Sequence, residues 1–112
     1  MIIGIDFGKR IGIAYAVGSL AMPWCVVHSI EELAVKIKEK KGTLLVVGWP
    51  KLLDGQEGSQ CHKTKEMLDK LLAIIGSIEY ILQDERFSSK FTHGAQDSHS
   101  AAWVLQIYLD KK

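Results

Sequence analysis

At 112 residues the chain has the length that one hydrophobic core serves, so a single domain spanning 1–112 is expected. Its 47% hydrophobic and 24% charged residues exclude a disordered or fibrous polymer, and no apolar run reaches the roughly 20 residues that cross a bilayer. A formal net charge of +1 excludes the overall positive field of many nucleic-acid binders, so any contact with a polyanion has to be local.

Ile2 to Phe7 and Ile11 to Val17 are β-branched, apolar stretches around Gly8-Lys9-Arg10, which predicts an opening hairpin. A third short strand is expected at Trp24 to Val27, after Pro23. Ser29 with Glu32 then forms a capping box that starts a helix whose buried stripe is Ile30, Leu33, Ala34 and Ile37. Gly42 ends it. Thr43 to Val47 is a continuous apolar run of the kind found in strands covered on both faces. Beyond the turn-rich Gly48-Trp49-Pro50 and Asp54-Gly55, the spacing of Cys61, Met67, Leu68, Leu71, Leu72 and Ile75 predicts a second helix closed by Gly76. Glu79 to Gln83 is the last strand, and Ala101, Val104, Leu105, Tyr108 and Leu109 share one face of a final helix. The order βββαβαβα implies an α/β fold: a five-stranded mixed sheet covered by helices, with right-handed crossovers in its parallel part.

Four carboxylates stand where this order places functional groups. Asp6 ends a strand expected to be central, where an ionised group is costly unless it is paired or bound to metal. The plain alternative is a hydrogen bond to the turn through Gly8. Asp84 and Glu85 leave the last strand together. Neighbouring strand residues point to opposite faces, so only one of them can face Asp6, and Glu85 is favoured. Asp97 precedes Ala101 by one helical turn and so either faces the sheet or serves as a helix N-cap. Converging, Asp6, Asp84 or Glu85, and Asp97 make an all-oxygen site suited to Mg2+ or Mn2+. Two such ions about 4 Å apart assist phosphodiester hydrolysis, the acids acting as ligands and not as nucleophiles.

The motifs Gly4-Ile5-Asp6-Phe7-Gly8 with Ile11-Gly12-Ile13-Ala14, Val47-Gly48-Trp49-Pro50 with Asp54-Gly55, Asp84-Glu85-Arg86-Phe87-Ser88, and Asp97-Ser98 occur in one order over nearly the whole chain. In that order they resemble the YqgF/RuvX family of bacterial pre-16S ribosomal RNA nucleases. The resemblance implies a ribonuclease H-like fold, divalent-metal nuclease activity and maturation of the 5′ end of the small-subunit ribosomal RNA precursor, with a link to Holliday-junction resolution. It makes Asp6, the Asp84-Glu85 pair and Asp97 the acidic site; with the strand alternation that favours Glu85, the expected metal ligands are Asp6, Glu85 and Asp97. Arg86 and Ser88 then support that site or approach phosphate, and Lys9 and Arg10 touch the nucleic-acid backbone, as does Lys90. Trp49 stacks on a base if exposed and fills volume if buried. The stretch between Ser89 and Asp97 is shorter than the family pattern, and the Lys usual before the final Asp is absent.

The expected partners are pre-rRNA or branched DNA, together with ribosomal precursor particles, and the expected assembly is a monomer or homodimer without a membrane. Cys25 and Cys61 fit no disulfide framework, and Asp6 interrupts the apolar stretch a signal peptide needs, so cytoplasm is expected. Local basic clusters are Lys9 with Arg10, Lys36 through Lys41, Lys63 with Lys65, and Arg86 with Lys90. Competing readings are a noncatalytic nucleic-acid-binding module, an actin-like ATPase, for which the chain is too short, and a zinc site from Cys25, His28, Cys61 and His62. His93 and His99 flank Asp97 as candidate proton carriers.

Overall fold

The computed structural model describes residues 1–50, 56–84 and 97–111, with the backbone alone at 97 and 98. Its elements are β1 (Ile2–Asp6), β2 (Ile11–Val17), β3 (Leu20–Val27), α1 (Ile30–Glu39), β4 (Leu44–Trp49), α2 (Ser59–Ile75), β5 (Glu79–Asp84) and α3 (Asp97–Asp110). The five strands form one mixed sheet in the order β3-β2-β1-β4-β5. The hairpins β1–β2 and β2–β3 are antiparallel, and β1–β4 and β4–β5 are parallel. This is the five-stranded mixed sheet that the order of elements implied, in the ribonuclease H-like arrangement that the resemblance implied.

Strand alternation divides the interior in two. Ile3, Ile5, Leu45 and Val47 point to one face, where they pack with Leu33, Ala34 and Ile37 of α1 and Leu68 and Leu71 of α2. Ala14 and Val46 point to the other and pack against Ala101, Val104, Leu105 and Leu109 of α3. Gly4 lies on this second face. A Cβ there would stand 2.8 Å from the Leu105 Cβ and 2.9 Å from the Ala101 carbonyl oxygen, so glycine lets α3 seat directly on the central strand.

The third strand is longer than the sequence reading has it, beginning at Leu20. Val17 pairs with Leu20 across a two-residue turn in which Gly18 adopts φ 60°, so the hairpin closes well before Pro23. Pro23 is tolerated inside β3 because this is an edge strand and because the ladder is irregular there: Ile13 pairs with Cys25 and Ala14 with Pro23, leaving Trp24 as the extra residue. Likewise β4 runs on through Gly48 and Trp49, which pair with Gln83 and Asp84, so the turn expected there starts later.

Helix boundaries follow their signals. The Ser29 hydroxyl accepts from the Glu32 N–H at 3.1 Å, as the capping box required. At the other end of α1 the left-handed residue is Lys41, φ 55°, and not Gly42. The Gly42 N–H donates to Ile37 at 2.9 Å and the Lys41 N–H to Lys38 at 3.1 Å, the paired bonds of a Schellman ending. Gly42 is small for another reason: a Cβ there would lie 2.9 Å from Ile37 Cγ2 and 3.1 Å from Ile3 Cγ1.

Candidate active site

The parallel strands β1, β4 and β5 deliver their C-terminal ends to one edge of the sheet, so Asp6, Trp49-Pro50 and Asp84 leave the fold at the same end. Within that end, register decides which groups share a face. Asp6 pairs with Gly12 on β2, and since Ile5 pairs with Val47, Gly48 is its neighbour on β4. Gly48 in turn pairs with Gln83. The row Gly12, Asp6, Gly48, Gln83 therefore lies on the α3 face, and Asp6 is flanked on both sides by glycines. Its carboxylate stands in a row with no side chain on either adjoining strand.

The same alternation places Asp84 elsewhere. Asp84 pairs with Trp49, whose position follows that of Val47 on the α1–α2 face, so Asp84 and Asp6 occupy opposite faces. Gln83 takes the place beside the Asp6 row. It is 5% exposed; its amide donates to the Asp84 carbonyl at 3.2 Å and accepts from the Lys111 ammonium at 3.5 Å. No sequence signal marks Gln83, because its burial is a product of tertiary packing.

Asp97 is the first residue of α3, one turn before Ala101, whose carbonyl abuts Gly4. Its backbone thus lies on the face that Asp6 shares; its side chain is outside what is described. Glu85, Arg86, Ser88, Lys90 and His93, with Asp54 and Gly55, also lie outside the described residues. Among the described residues no three His, Cys, Asp or Glu side chains form a group able to hold a metal. Cys25, His28, Cys61 and His62 are all described, so the zinc reading has no geometric basis. Cys61 is buried in α2, and burial pushes the Cys25 thiol above its usual range, against the lowering effect of Lys36.

Trp49 requires a correction. Its indole is 7% exposed, and its Nε1–H donates to the Glu57 carboxylate at 3.0 Å. Base stacking needs an open ring face, so Trp49 fills volume beneath the site. The basic clusters also separate. Lys36 and Lys40 lie over the Trp24 ring at 5.4 and 5.0 Å, and Lys40 over Tyr15 at 4.2 Å, serving the surface of β2 and β3. Lys65 pairs with Asp69 at 3.0 Å, an exposed bond that raises the lysine's pKa. Lys9 and Arg10 are exposed in the turn after Asp6. Lys9 and Lys63, with Gln60, Thr64 and Met67 of α2, line a cavity of 430 Å³ that also touches Asp6, Phe7, Gly8 and Pro50.

Compared with known proteins, the chain matches over residues 1–111 the family described as "RuvX: Holliday junction resolvase". It is 35% identical over 133 aligned positions to a Fusobacterium nucleatum protein named "Putative pre-16S rRNA nuclease", covering 98% of this chain and 96% of the relative. A protein of the same name from Sulfurihydrogenibium is 36% identical over 130 positions, covering 98% and 90%, and one from Anaplasma marginale is 33% identical over 132, covering 97% and 83%. An alignment of 133 positions against a chain of 112 leaves at least 21 of them opposite gaps, in keeping with a segment shortened in this sequence.

Proposed function

This chain belongs to the RuvX family, and from that premise we propose that it is a metal-dependent endonuclease that hydrolyses RNA phosphodiesters in maturing the 5′ end of pre-16S rRNA. The observation that carries the reading is Asp6, ending the central strand between two glycines on the face where α3 begins. Asp6, Glu85 and Asp97 are the proposed ligands of Mg2+ or Mn2+. Their donor set, hard carboxylate oxygen throughout, fits those ions, and the position of Asp84 on the face opposite Asp6 supports the choice of Glu85 from the pair.

Bound there, a divalent cation supplies charge stabilisation at the scissile phosphate and activation of water. The chain's own part is positional. The ladder holds Asp6 on two sides, and Gly4 against Ala101 and Leu105 fixes the height of α3 above it. Lys9 and Arg10, in the exposed turn next in sequence, offer cations to the phosphates that flank the cut.

The test is cleavage of a 5′-extended pre-16S fragment by purified protein with Mn2+ or Mg2+. Asp6→Asn and Glu85→Gln are each expected to lower the rate by about 100-fold or more, since even outer-shell changes at metal sites cost 10–100-fold. Asp84→Asn should keep most of it. Equal loss in Asp84→Asn with retention in Glu85→Gln would reverse the assignment, and no cleavage by the unaltered protein would end it. The family description favours a second reading, resolution of four-way DNA junctions, so such a junction belongs in the same assay as a competing substrate.

A further inference from the structure

The 430 Å³ cavity beside Asp6 is within the range of pockets that hold small ligands. Its lining is divided by chemistry. Phe7, Pro50 and Met67 supply apolar surface, Gln60 and Thr64 supply amide and hydroxyl groups, Lys9 of the β1–β2 turn and Lys63 of α2 supply two ammonium groups, and Asp6 supplies the one carboxylate among the described lining residues. Apolar walls with a few hydrogen-bonding groups suit a heterocyclic base, and paired cations suit the phosphates on either side of it. The cavity lies on the α2 side of β1, whereas the Asp6 position points to the α3 face. Asp6 nevertheless borders the cavity, which is therefore continuous with the acidic site, and what fills it lies next to the bond to be cut.

Resting on the nuclease reading above, we propose that this cavity takes the base of one unpaired ribonucleotide adjacent to the scissile phosphate, making single-stranded RNA the substrate class. A base stacked and paired in a duplex enters such a recess only after being unstacked and unpaired, which opposes its binding. The cavity thus selects for strands already open at the cut. Lys63 acts here as a phosphate contact, unlike Lys65 two residues on, which is engaged with Asp69.

The experiment measures binding of a fluorescein-labelled eight-nucleotide RNA and of an RNA duplex by anisotropy, with EDTA present so that nothing is cut. Gln60→Trp fills the recess from an exposed helix position and should weaken single-strand binding by about tenfold while leaving duplex binding within twofold. Lys63→Ala should weaken single-strand binding several-fold and flatten its salt dependence by about one phosphate contact, with Lys65→Ala unchanged. Circular dichroism checks each variant's fold, and Lys63→Glu serves if Gln60→Trp does not fold. Equal affinity for both RNAs, or single-strand binding unaltered in both Gln60→Trp and Lys63→Ala, overturns the proposal. The two readings fail separately: cleavage that persists with unchanged KM in Gln60→Trp removes the cavity and keeps the nuclease. Binding lost in Gln60→Trp by a protein that never cleaves keeps the cavity and removes the nuclease.

Discussion

Alternation along a strand settles more about single residues here than composition does. Asp84 and Glu85 are indistinguishable as neighbouring carboxylates, yet the Trp49–Asp84 pairing assigns Asp84 to the face opposite Asp6. Trp49 shows the converse, a residue whose identity suggested stacking and whose position denies it. Its buried N–H depends on Glu57, so Glu57→Ala strands a buried donor. That should cost about 1–3 kcal/mol, seen as a lower urea midpoint with an unchanged m value. An unchanged midpoint would mean that the indole finds another acceptor. The Cys25 thiol, its pKa raised by burial, should alkylate more slowly at neutral pH than a free cysteine and gain reactivity only as pH rises toward the elevated value.

Between elements, one glycine, one lysine and one serine carry the geometry. Gly4→Ala would push Leu105 and the Ala101 carbonyl away from β1, an overpacking cost of about 1–3 kcal/mol. Because it also lifts the helix that begins at Asp97, activity should fall further than stability accounts for, which cleavage assays well below the melting temperature will show. Lys41 stands where a helix ending prefers glycine, since an L side chain in the left-handed region is strained by about 1 kcal/mol. Lys41→Gly should therefore raise the thermal midpoint, and a fall would show that the lysine side chain offsets its strain. Ser29→Ala removes the cap accepted from Glu32 and should cost about 1 kcal/mol in the same measurement.

For the whole molecule, the +1 net charge and the dispersal of lysines predict shallow electrostatics. Among the described residues, Lys36 and Lys40 attend aromatic rings and Lys65 attends Asp69, while Lys9, Arg10 and Lys63 stand near the end of β1. With about three phosphate contacts from Lys9, Arg10 and Lys63, log K for single-stranded RNA should fall against log salt with a slope near about −2. A much steeper slope would reveal a wider footprint. Among the described residues, no helix is long and apolar enough to cross a membrane.

Element order, helix faces and the ends of most elements were legible in the chain alone. Periodicities of 3.6 and 2 are local properties, and Ser29, Gly76 and the apolar stripes state them directly. The ordered acidic motifs likewise pointed to the family. What distant residues share was not legible: that Asp84 lies on the face opposite Asp6, that glycines stand on both sides of Asp6, that Lys63 and Lys9 line one cavity, and that Trp49 is covered. Those facts depend on inter-strand register and on the packing of helices far apart in sequence, and no local pattern encodes either, because a shift of one residue in pairing turns every side chain of a strand to the other face.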